Sequence, residues 1–180
     1  IEYSDGSAEW WKNGKVHRDE DKPAIEYPNG SKIWYKNGEL HRDNDLPEIE
    51  YRSGAKEWWK DGKCHRDNGL PAVERANGTK EWWVDGKLYR EDDKPVIIFG
   101  DRMEWWSDPE TRHRSGNKPA VINGERKEWW RGGKLHRDDG PAITDINNEQ
   151  WWNCGELHRE QKDADSGPAI CAKLEDVEVK

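Results

Sequence analysis

A pair of adjacent aromatic residues recurs along this chain at an almost constant interval, and this periodicity limits the fold more than any other feature. The pairs are Trp10-Trp11, Trp34-Tyr35, Trp58-Trp59, Trp82-Trp83, Trp105-Trp106, Trp129-Trp130 and Trp151-Trp152, separated by 24, 24, 24, 23, 24 and 22 residues. A fixed period of this length is typical of repeat proteins, in which each unit packs on its neighbours. We number seven repeats by these pairs and call the two residues of a pair the first ring and the second ring.

Each ring pair is followed six or seven residues later by a His-Arg step and then, after a short acidic loop, by a proline. The steps are His17-Arg18, His41-Arg42, His65-Arg66, His113-Arg114, His136-Arg137 and His158-Arg159, with Tyr89-Arg90 in the fourth repeat. The prolines are Pro23, Pro47, Pro71, Pro95, Pro119, Pro141 and Pro168. We predict that the ring pairs and these steps are repeat-defining structural residues. The predicted domain organisation is a seven-unit β-repeat array over residues 1–173, followed by a C-terminal tail or edge strand over residues 174–180.

The composition indicates what kind of core these repeats can build. Only 32% of the residues are hydrophobic and 38% are charged, which by itself would suggest a disordered chain. The sequence nevertheless contains thirteen Trp residues, and each can bury roughly 150–250 Å². We therefore expect a thin, aromatic core that is repeated along the chain.

Turn-forming dipeptides define the local structure within each repeat. Asn13-Gly14, Asn37-Gly38, Asp61-Gly62 and Asp85-Gly86 each lie between a ring pair and a His-Arg step, which is a strong signal for a type I′ β-hairpin. A second turn, such as Asn29-Gly30, precedes the ring pair. In the second repeat these turns predict strand A over residues 24–27, strand B over 32–36 and strand C over 39–42. The predicted fold class is all-β, an elongated tandem array of short antiparallel β-hairpins.

The position of the type I′ turn also predicts which residues face each other. Centring the first hairpin on its turn pairs Trp11 with Val16, Trp10 with His17 and Glu9 with Arg18. Both faces then carry an aromatic stripe, so the array must curl, form two layers or bury one stripe against a partner. A parallel solenoid is the alternative arrangement, but it would stack charges of the same sign about 4.8 Å apart. We therefore favour the antiparallel array.

The pattern EWWKDGKCHRDNGLPA, which recurs with variations in all seven repeats, resembles tandem repeats of uncharacterised proteins from large DNA viruses, phages, protists and bacteria. It is also similar to the MORN and MORN-variant class, whose short aromatic-glycine units form successive hairpins in an elongated sheet. The His-Arg and Pro-Ala steps depart from the standard MORN unit, so that family's binding roles are not assigned to particular residues here. A weaker resemblance is to the Trp-rich hairpins of choline-binding cell-wall repeats.

The repeated polar residues suggest two kinds of site, a catalytic site and a metal-binding site. His-Arg-Asp resembles the catalytic-loop tripeptide of protein kinases, but that loop occurs once per domain with other motifs that this chain lacks. Equivalent histidines of neighbouring repeats should lie roughly 14 Å apart, three strand spacings, which is too far to share a metal ion. The acidic loops carry the oxygen ligands that Ca²⁺ binds but lack the longer loop that closes around the ion, so we favour solvated turns, with calcium binding as the alternative. We predict no catalytic, cofactor or metal residues, and a histidine that bonds a loop carbonyl or carboxylate.

These observations predict a non-catalytic β-repeat scaffold for protein-protein contact or for self-assembly, either as a homo-oligomer or end to end. The alternative is a carbohydrate- or choline-type ligand-binding module that uses exposed Trp residues. The net charge of −8 argues against nucleic acid as a partner, and no stretch is apolar enough for a membrane span. We expect a soluble protein, for which the cytoplasm is favoured, and expect its three cysteines to be reduced thiols.

Overall fold

The computed structural model describes residues 1–108 and 111–160, and in these ranges the chain forms only strands, bridges, turns and bends. The all-β prediction of successive antiparallel hairpins is confirmed for this part of the chain. The chain divides into two units, Ile1–Gly100 and Asp101–Lys180, which we describe separately. Pro168, the predicted boundary at residue 173 and the predicted tail or edge strand over residues 174–180 lie outside the described residues.

The first unit contains sixteen short strands. They are β1 (Ala8–Glu9), β2 (Trp11–Lys12), β3 (Lys15–Val16), β4 (Ile25–Glu26), β5 (Lys32–Ile33), β6 (Tyr35–Lys36), β7 (Glu39–Leu40), β8 (Ile49–Glu50), β9 (Lys56–Glu57), β10 (Trp59–Lys60), β11 (Lys63–Cys64), β12 (Val73–Glu74), β13 (Lys80–Glu81), β14 (Trp83–Val84), β15 (Lys87–Leu88) and β16 (Ile97–Phe99). Strands β1-β4-β5-β8-β9-β12-β13-β16 form an antiparallel sheet in that order. The other strands form four separate two-stranded ribbons, β2-β3, β6-β7, β10-β11 and β14-β15.

The described part of the second unit repeats this organisation with ten strands. They are β17 (Arg102–Glu104), β18 (Trp106–Asp108), β19 (Thr111–Arg112), β20 (Val121–Asn123), β21 (Arg126–Glu128), β22 (Trp130–Arg131), β23 (Lys134–Leu135), β24 (Ile143–Thr144), β25 (Glu149–Asn153) and β26 (Glu156–Glu160). Strands β17-β20-β21-β24-β25-β26 are consecutive neighbours in an antiparallel sheet, and β18-β19 and β22-β23 form ribbons. Paired strands are antiparallel in the described part of each unit, so the meander prediction is confirmed over the parallel solenoid.

The first ring interrupts the predicted strand B, and this break explains how one repeat contributes to two structures. The Trp34 N–H donates to the Glu48 carbonyl at 2.8 Å, which joins it to the sheet. The Trp34 carbonyl accepts the N–H of His41 at 3.2 Å, which starts the ribbon. Strand B is therefore divided into β5 and β6, one on each side of the ring. Only the last described hairpin, β25-β26, continues through its ring pair, with a register shift between Trp151 and Trp152.

The turns have the backbone conformation that the sequence predicts. Asn13 and Gly14 have φ values of 51° and 73°, so both central residues are left-handed as a type I′ turn requires. The hairpin pairs Trp11 with Val16, and the N–H of His17 donates to the Trp10 carbonyl at 2.9 Å. These pairings confirm the predicted register on both sides of the turn.

The predicted pairing of Glu9 with Arg18 is wrong. Glu9 pairs with Ile25 in the sheet, because the chain has already left the ribbon at the first ring. Arg18 instead lies over the Trp10 ring, with its guanidinium carbon 3.6 Å from the ring centre. The local turn therefore determines the register only as far as the first ring.

The core consists mainly of first rings and of the small residues that follow the prolines. Trp34, Trp58, Trp82, Trp105 and Trp129 are each no more than 8% exposed. Ala24, Ala72, Ala120 and Ala142 are fully buried. Second rings, by contrast, are half-buried, and Trp11 is 49% exposed. The two rings of a pair therefore differ in burial.

The cysteines differ from the expectation of three reduced thiols. Cys64 is free, but Cys154 is disulfide-bonded. Cys64 lies opposite Trp59 in the β10-β11 ribbon, and burial raises the pKa of its thiol to about 12. Cys171 lies outside the described residues.

Candidate functional site

The first rings lie at the junctions between repeats. The Trp58 indole N–H donates to the Asp45 carbonyl in the acidic loop of the preceding repeat, at 3.0 Å. The same bond joins Trp34 to Asp21, Trp82 to Gly69 and Trp129 to Asn117, at 2.8 to 3.1 Å. A buried indole needs a partner for its N–H. Each of these rings meets this need in the neighbouring repeat, so the same residue supplies core area and a junction bond.

The acidic loop presents its carbonyl through an uncommon backbone conformation. Asn44 and Asp45 have φ values of 63° and 54°, and Glu20 and Asp21 have values of 64° and 50°. Asn and Asp tolerate the left-handed region better than other side chains, apart from Gly. This tolerance gives the acidic residues a structural reason to recur at these positions, which is separate from their charge.

The arginine of each His-Arg step covers the outer face of its own first ring. Its guanidinium carbon lies 3.6 to 4.0 Å from the ring centre in the first six repeats. Its Nη1 also donates to the carbonyl of the proline that ends the repeat, for example from Arg66 to Pro71 at 3.3 Å. The arginine therefore connects the ribbon to the start of the next strand A. Arg159 lies in β26.

The arginine also reaches the preceding repeat. Arg66 donates from Nε and Nη2 to the Asp45 carboxylate, with shortest distances of 3.0 and 2.9 Å. Arg42 makes the equivalent pair of bonds to Asp21 at 3.1 and 3.4 Å. In the second unit, Arg137 Nε donates to the Asn117 side-chain oxygen at 3.3 Å. An arginine fork that binds a carboxylate side-on is strong and directional, so this contact sets the stacking of one repeat on the next.

The histidines bond in two directions, and both bonds are structural. His17 Nε2 lies 2.8 Å from the Asp19 carboxylate, and His17 Nδ1 accepts the backbone N–H of Asn37 in the next repeat at 3.0 Å. His65 and His136 make the same two contacts. In His17 and His65, Nδ1 accepts, so the proton lies on Nε2 and is donated to the carboxylate. His136 Nε2 also lies 3.0 Å from Arg131 Nη1. The predicted bond between the histidine and a loop carboxylate is confirmed in these repeats.

The fourth, fifth and seventh repeats depart from this histidine pattern. Ser115 stands two residues after His113, in place of the usual aspartate, and His113 Nδ1 is buried without a hydrogen-bond partner in the described structure. Tyr89 replaces the histidine of the fourth repeat and is 50% exposed. His158 is exposed in β26.

The aspartate two residues after the histidine is held as a carboxylate. Hydrogen bonds from His17 and then Lys12 lower the pKa of Asp19 to about 2. The same pairing lowers the pKa of Asp43, Asp67 and Asp138, in which Lys36, Lys60 and Arg131 take the place of Lys12. These carboxylates are largely exposed, so solvent screens the pairs and limits what each contributes to stability.

The second rings lie on a different surface, where a glutamate holds them in place. The Trp59 indole donates to one oxygen of Glu57 at 3.1 Å, and the Tyr51 hydroxyl donates to the other at 3.1 Å. Equivalent groups join Tyr3 and Trp11 through Glu9, and Arg75 and Trp83 through Glu81. In the second unit, Glu104 and Glu128 accept from an arginine and the second ring. We call this surface of each unit, formed by the second rings, these glutamates and their Tyr or Arg neighbours, the second-ring face.

The sequence analysis identified the residues of the junctions but not all their partners. It predicted the ring pairs, the His-Arg steps and the histidine-carboxylate bond. It missed the contacts from the arginine and the first ring to the preceding acidic loop, and the glutamates that hold the second rings. The recurrence of a glutamate directly before most ring pairs was the available signal for the second group.

No set of three or more His, Cys, Asp or Glu side chains in residues 1–108 and 111–160 is arranged to hold a metal ion. The described residues also include no helix long and apolar enough to cross a membrane. Comparison with models of known protein families and with curated proteins finds no match for this chain.

Proposed function

We propose that this protein is a non-catalytic β-repeat scaffold that uses its second-ring face for contact with protein, including further copies of itself. The observation that carries the proposal is the unequal exposure of the two rings. First rings of the second to sixth repeats are buried, whereas second rings are only half-buried although the indoles of Trp11, Trp59 and Trp83 are already bonded. Rigid aromatic side chains that still expose apolar area are typical of protein-protein interfaces.

The exposed aromatic residues continue along the first unit rather than forming one pocket. Trp11, Tyr3, Tyr27 and Tyr51 are each at least 40% exposed. Tyr51 and Trp59 are held by the same glutamate, so little side-chain entropy is lost when a partner covers them. A surface that repeats every 24 residues suits an extended partner or an assembly of copies better than a single small substrate.

The non-catalytic part of the proposal rests on the bonding of the repeated polar groups. In the first, third and sixth repeats, both ring nitrogens of the histidine are bonded within the array. Asp21 and Asp45 are bonded to the arginines of the following repeats. Catalysis requires a nucleophile, a base and an orienting group directed at a common point. Here the residue types that would supply them stabilise the junctions.

Sedimentation velocity over a wide concentration range tests the self-assembly form of this proposal. We expect concentration-dependent association of the wild-type chain, and weaker association of Trp11→Ser and Tyr51→Ser. Leu46→Ser is the matched control, because Leu46 is 38% exposed but lies in an acidic loop. A wild-type monomer at every concentration, or equal loss in the control variant, would refute self-assembly through this face.

Tryptophan fluorescence distinguishes the scaffold from the alternative, a carbohydrate- or choline-binding module. Half-exposed indoles can stack on a sugar ring or contact a quaternary ammonium ion. The scaffold predicts no saturable change in fluorescence with simple sugars or choline. Saturable quenching that Trp11→Ser abolishes would replace the scaffold proposal with the ligand-binding module.

A further inference from the structure

Arg90, the arginine of the fourth repeat, is stacked like its equivalents but differs from them in its surroundings. Its guanidinium carbon lies 3.7 Å from the centre of the Trp82 ring, and Nη1 donates to the Pro95 carbonyl at 3.1 Å. Among the described residues, Nε and Nη2 of Arg90 have no hydrogen-bond partner. Burial lowers the pKa of this guanidinium, and no nearby carboxylate opposes that effect.

Two substitutions remove the carboxylates that the other arginines use. Gly69 occupies the loop position that is Asp21 or Asp45 in the first two repeats. Ile98 occupies the position eight residues after the arginine, which is Glu26, Glu50 and Glu74 in the first three repeats. Arg18 and Arg42 donate to those glutamates at 3.0 and 2.8 Å. Arg90 has therefore lost both kinds of acidic partner while keeping its position over the ring.

The space beside Arg90 is larger than the equivalent spaces in the same unit. A groove of about 520 Å³ is lined by Gly69, Leu70, Trp83, Tyr89 and Arg90 among others. The grooves at the two preceding junctions have volumes of about 170 and 270 Å³. Leu70 and Tyr89 are 40% and 50% exposed, so apolar surface flanks the guanidinium.

The other basic side chains that line this groove, Arg66, His65 and Lys94, each have a carboxylate partner. Asp67 accepts from Lys60 and His65, and Asp92 accepts from Lys94. Glu91 follows Arg90 in sequence but makes no ion pair with it. Among the described residues, Arg90 is thus the basic side chain at this groove that has no bonded carboxylate.

We infer that Arg90 binds a carboxylate from an acidic segment of another protein chain, placed where Asp45 lies beside Arg66. The Arg66 pair shows the geometry, with one carboxylate across Nε and Nη2 at 3.0 and 2.9 Å. An Asp or Glu side chain fits this edge. A peptide is favoured over a free acid because its flanking residues can cover Leu70 and Tyr89. The site is separate from the second-ring face and does not depend on it.

Nitrogen-15 NMR of the arginine Nε–H groups in the full chain tests this inference. The Arg90 signal is assigned with Arg90→Lys, and the Arg66 signal serves as the internal control, because Asp45 already occupies its edge. The probes are a peptide that copies residues 43–48, blocked aspartate and inorganic phosphate. We expect a saturable shift at Arg90 alone, with a midpoint for the peptide at least about tenfold below those for blocked aspartate and phosphate.

Gly69→Asp supplies the missing carboxylate within the chain and should close the site. Gly69 has a φ of 67° and open space around its Cα, and aspartate already adopts a φ of 54° at the equivalent Asp45. We expect this variant to weaken peptide binding at least about tenfold and to shift the Arg90 signal without any probe. Gly69→Ala, the control without a side-chain acceptor, should keep binding within about threefold of wild type.

Several results would overturn the inference. These are the absence of a shift at Arg90 with every probe, an equal shift at Arg66, or undiminished peptide binding by Gly69→Asp. A peptide midpoint no lower than that of blocked aspartate would exclude a protein segment as the ligand. Tighter binding of phosphate than of the peptide would exclude the carboxylate assignment.

Discussion

Replacing the stacked arginine with methionine in two adjacent repeats should separate the energy of the junction carboxylate from that of the stack. Arg66→Met and Arg90→Met both keep an apolar stem over the first ring and remove the guanidinium. The two arginines share the stack, at 3.8 and 3.7 Å, and the bond to the proline carbonyl, at 3.3 and 3.1 Å. Only Arg66 has a carboxylate across its Nε edge.

The expected magnitudes follow from these contacts. A cation over an aromatic face contributes about 0.5–1 kcal/mol, and a hydrogen bond from a charged donor to a partly exposed carbonyl about 1 kcal/mol. We therefore expect Arg90→Met to lower the free energy of unfolding by about 1.5 kcal/mol. The Asp45 carboxylate is 48% exposed, and solvent screening therefore limits the contribution of its two-point ion pair with Arg66 to about 1 kcal/mol. Arg66→Met should then cost about 2.5 kcal/mol.

Urea unfolding of the full chain, followed by tryptophan fluorescence and circular dichroism, measures both changes. The free energy of unfolding must fall with urea concentration at the same slope in wild type and variants, because repeat proteins can lose cooperativity when one junction is weakened. Asp45→Asn in the wild-type and Arg66→Met backgrounds should give a coupling energy of about 1 kcal/mol. Equal costs at Arg66 and Arg90, together with zero coupling, would refute the role assigned to the carboxylate.

Four further predictions concern individual side chains. Trp34→Phe removes the indole donor to a loop carbonyl, so urea unfolding should show a loss of at least about 1 kcal/mol. Gly38 has a φ of 86°, so Gly38→Ala should cost about 1 kcal/mol or more in the same assay. The pKa of Asp19 is lowered to about 2, so its contribution to stability is complete above about pH 4 and is lost as the pH falls from about 4 to 2. Acid titration followed by circular dichroism measures this loss. The raised pKa of Cys64, about 12 against an ordinary 9.0, should slow its alkylation at pH 8 about a thousandfold, as followed by mass spectrometry.

Matched variants check the reasoning behind these four predictions. Trp59→Phe should cost less than Trp34→Phe, because the Trp59 indole bonds a side chain and the ring is half-exposed. Gly38→Asn should cost less than Gly38→Ala, since asparagine tolerates a left-handed backbone. Asp19→Asn should reduce the loss of stability at acid pH. Unfolding in urea should restore rapid alkylation of Cys64, because it exposes the thiol. The opposite order in any pair would contradict the corresponding structural reason.

The sequence was sufficient to predict the strands and turns because both depend on neighbouring residues. Asn13 and Gly14 favour a left-handed backbone wherever they occur, so the hairpin and its pairing of Trp11 with Val16 followed directly. The partners of Arg66 and of Trp58 did not follow. Both contacts join residues that are far apart in sequence, and they form only when one acidic loop is packed against the next ribbon.

By itself, the sequence determined the repeat, the antiparallel order of the strands and the residues that define each unit, because period and turn chemistry are local properties. Only the tertiary structure decided that strand B breaks at the first ring, since the backbone of Trp34 bonds the sheet on one side and the ribbon on the other. Because of this break, first rings such as Trp34 lie at the junctions between repeats, whereas second rings are half-buried. The packing of the third and fourth repeats also brings Arg90 beside Gly69. Because glycine has no carboxylate, part of the guanidinium edge of Arg90 stays open, whereas the same edge of Arg66 is bonded to Asp45.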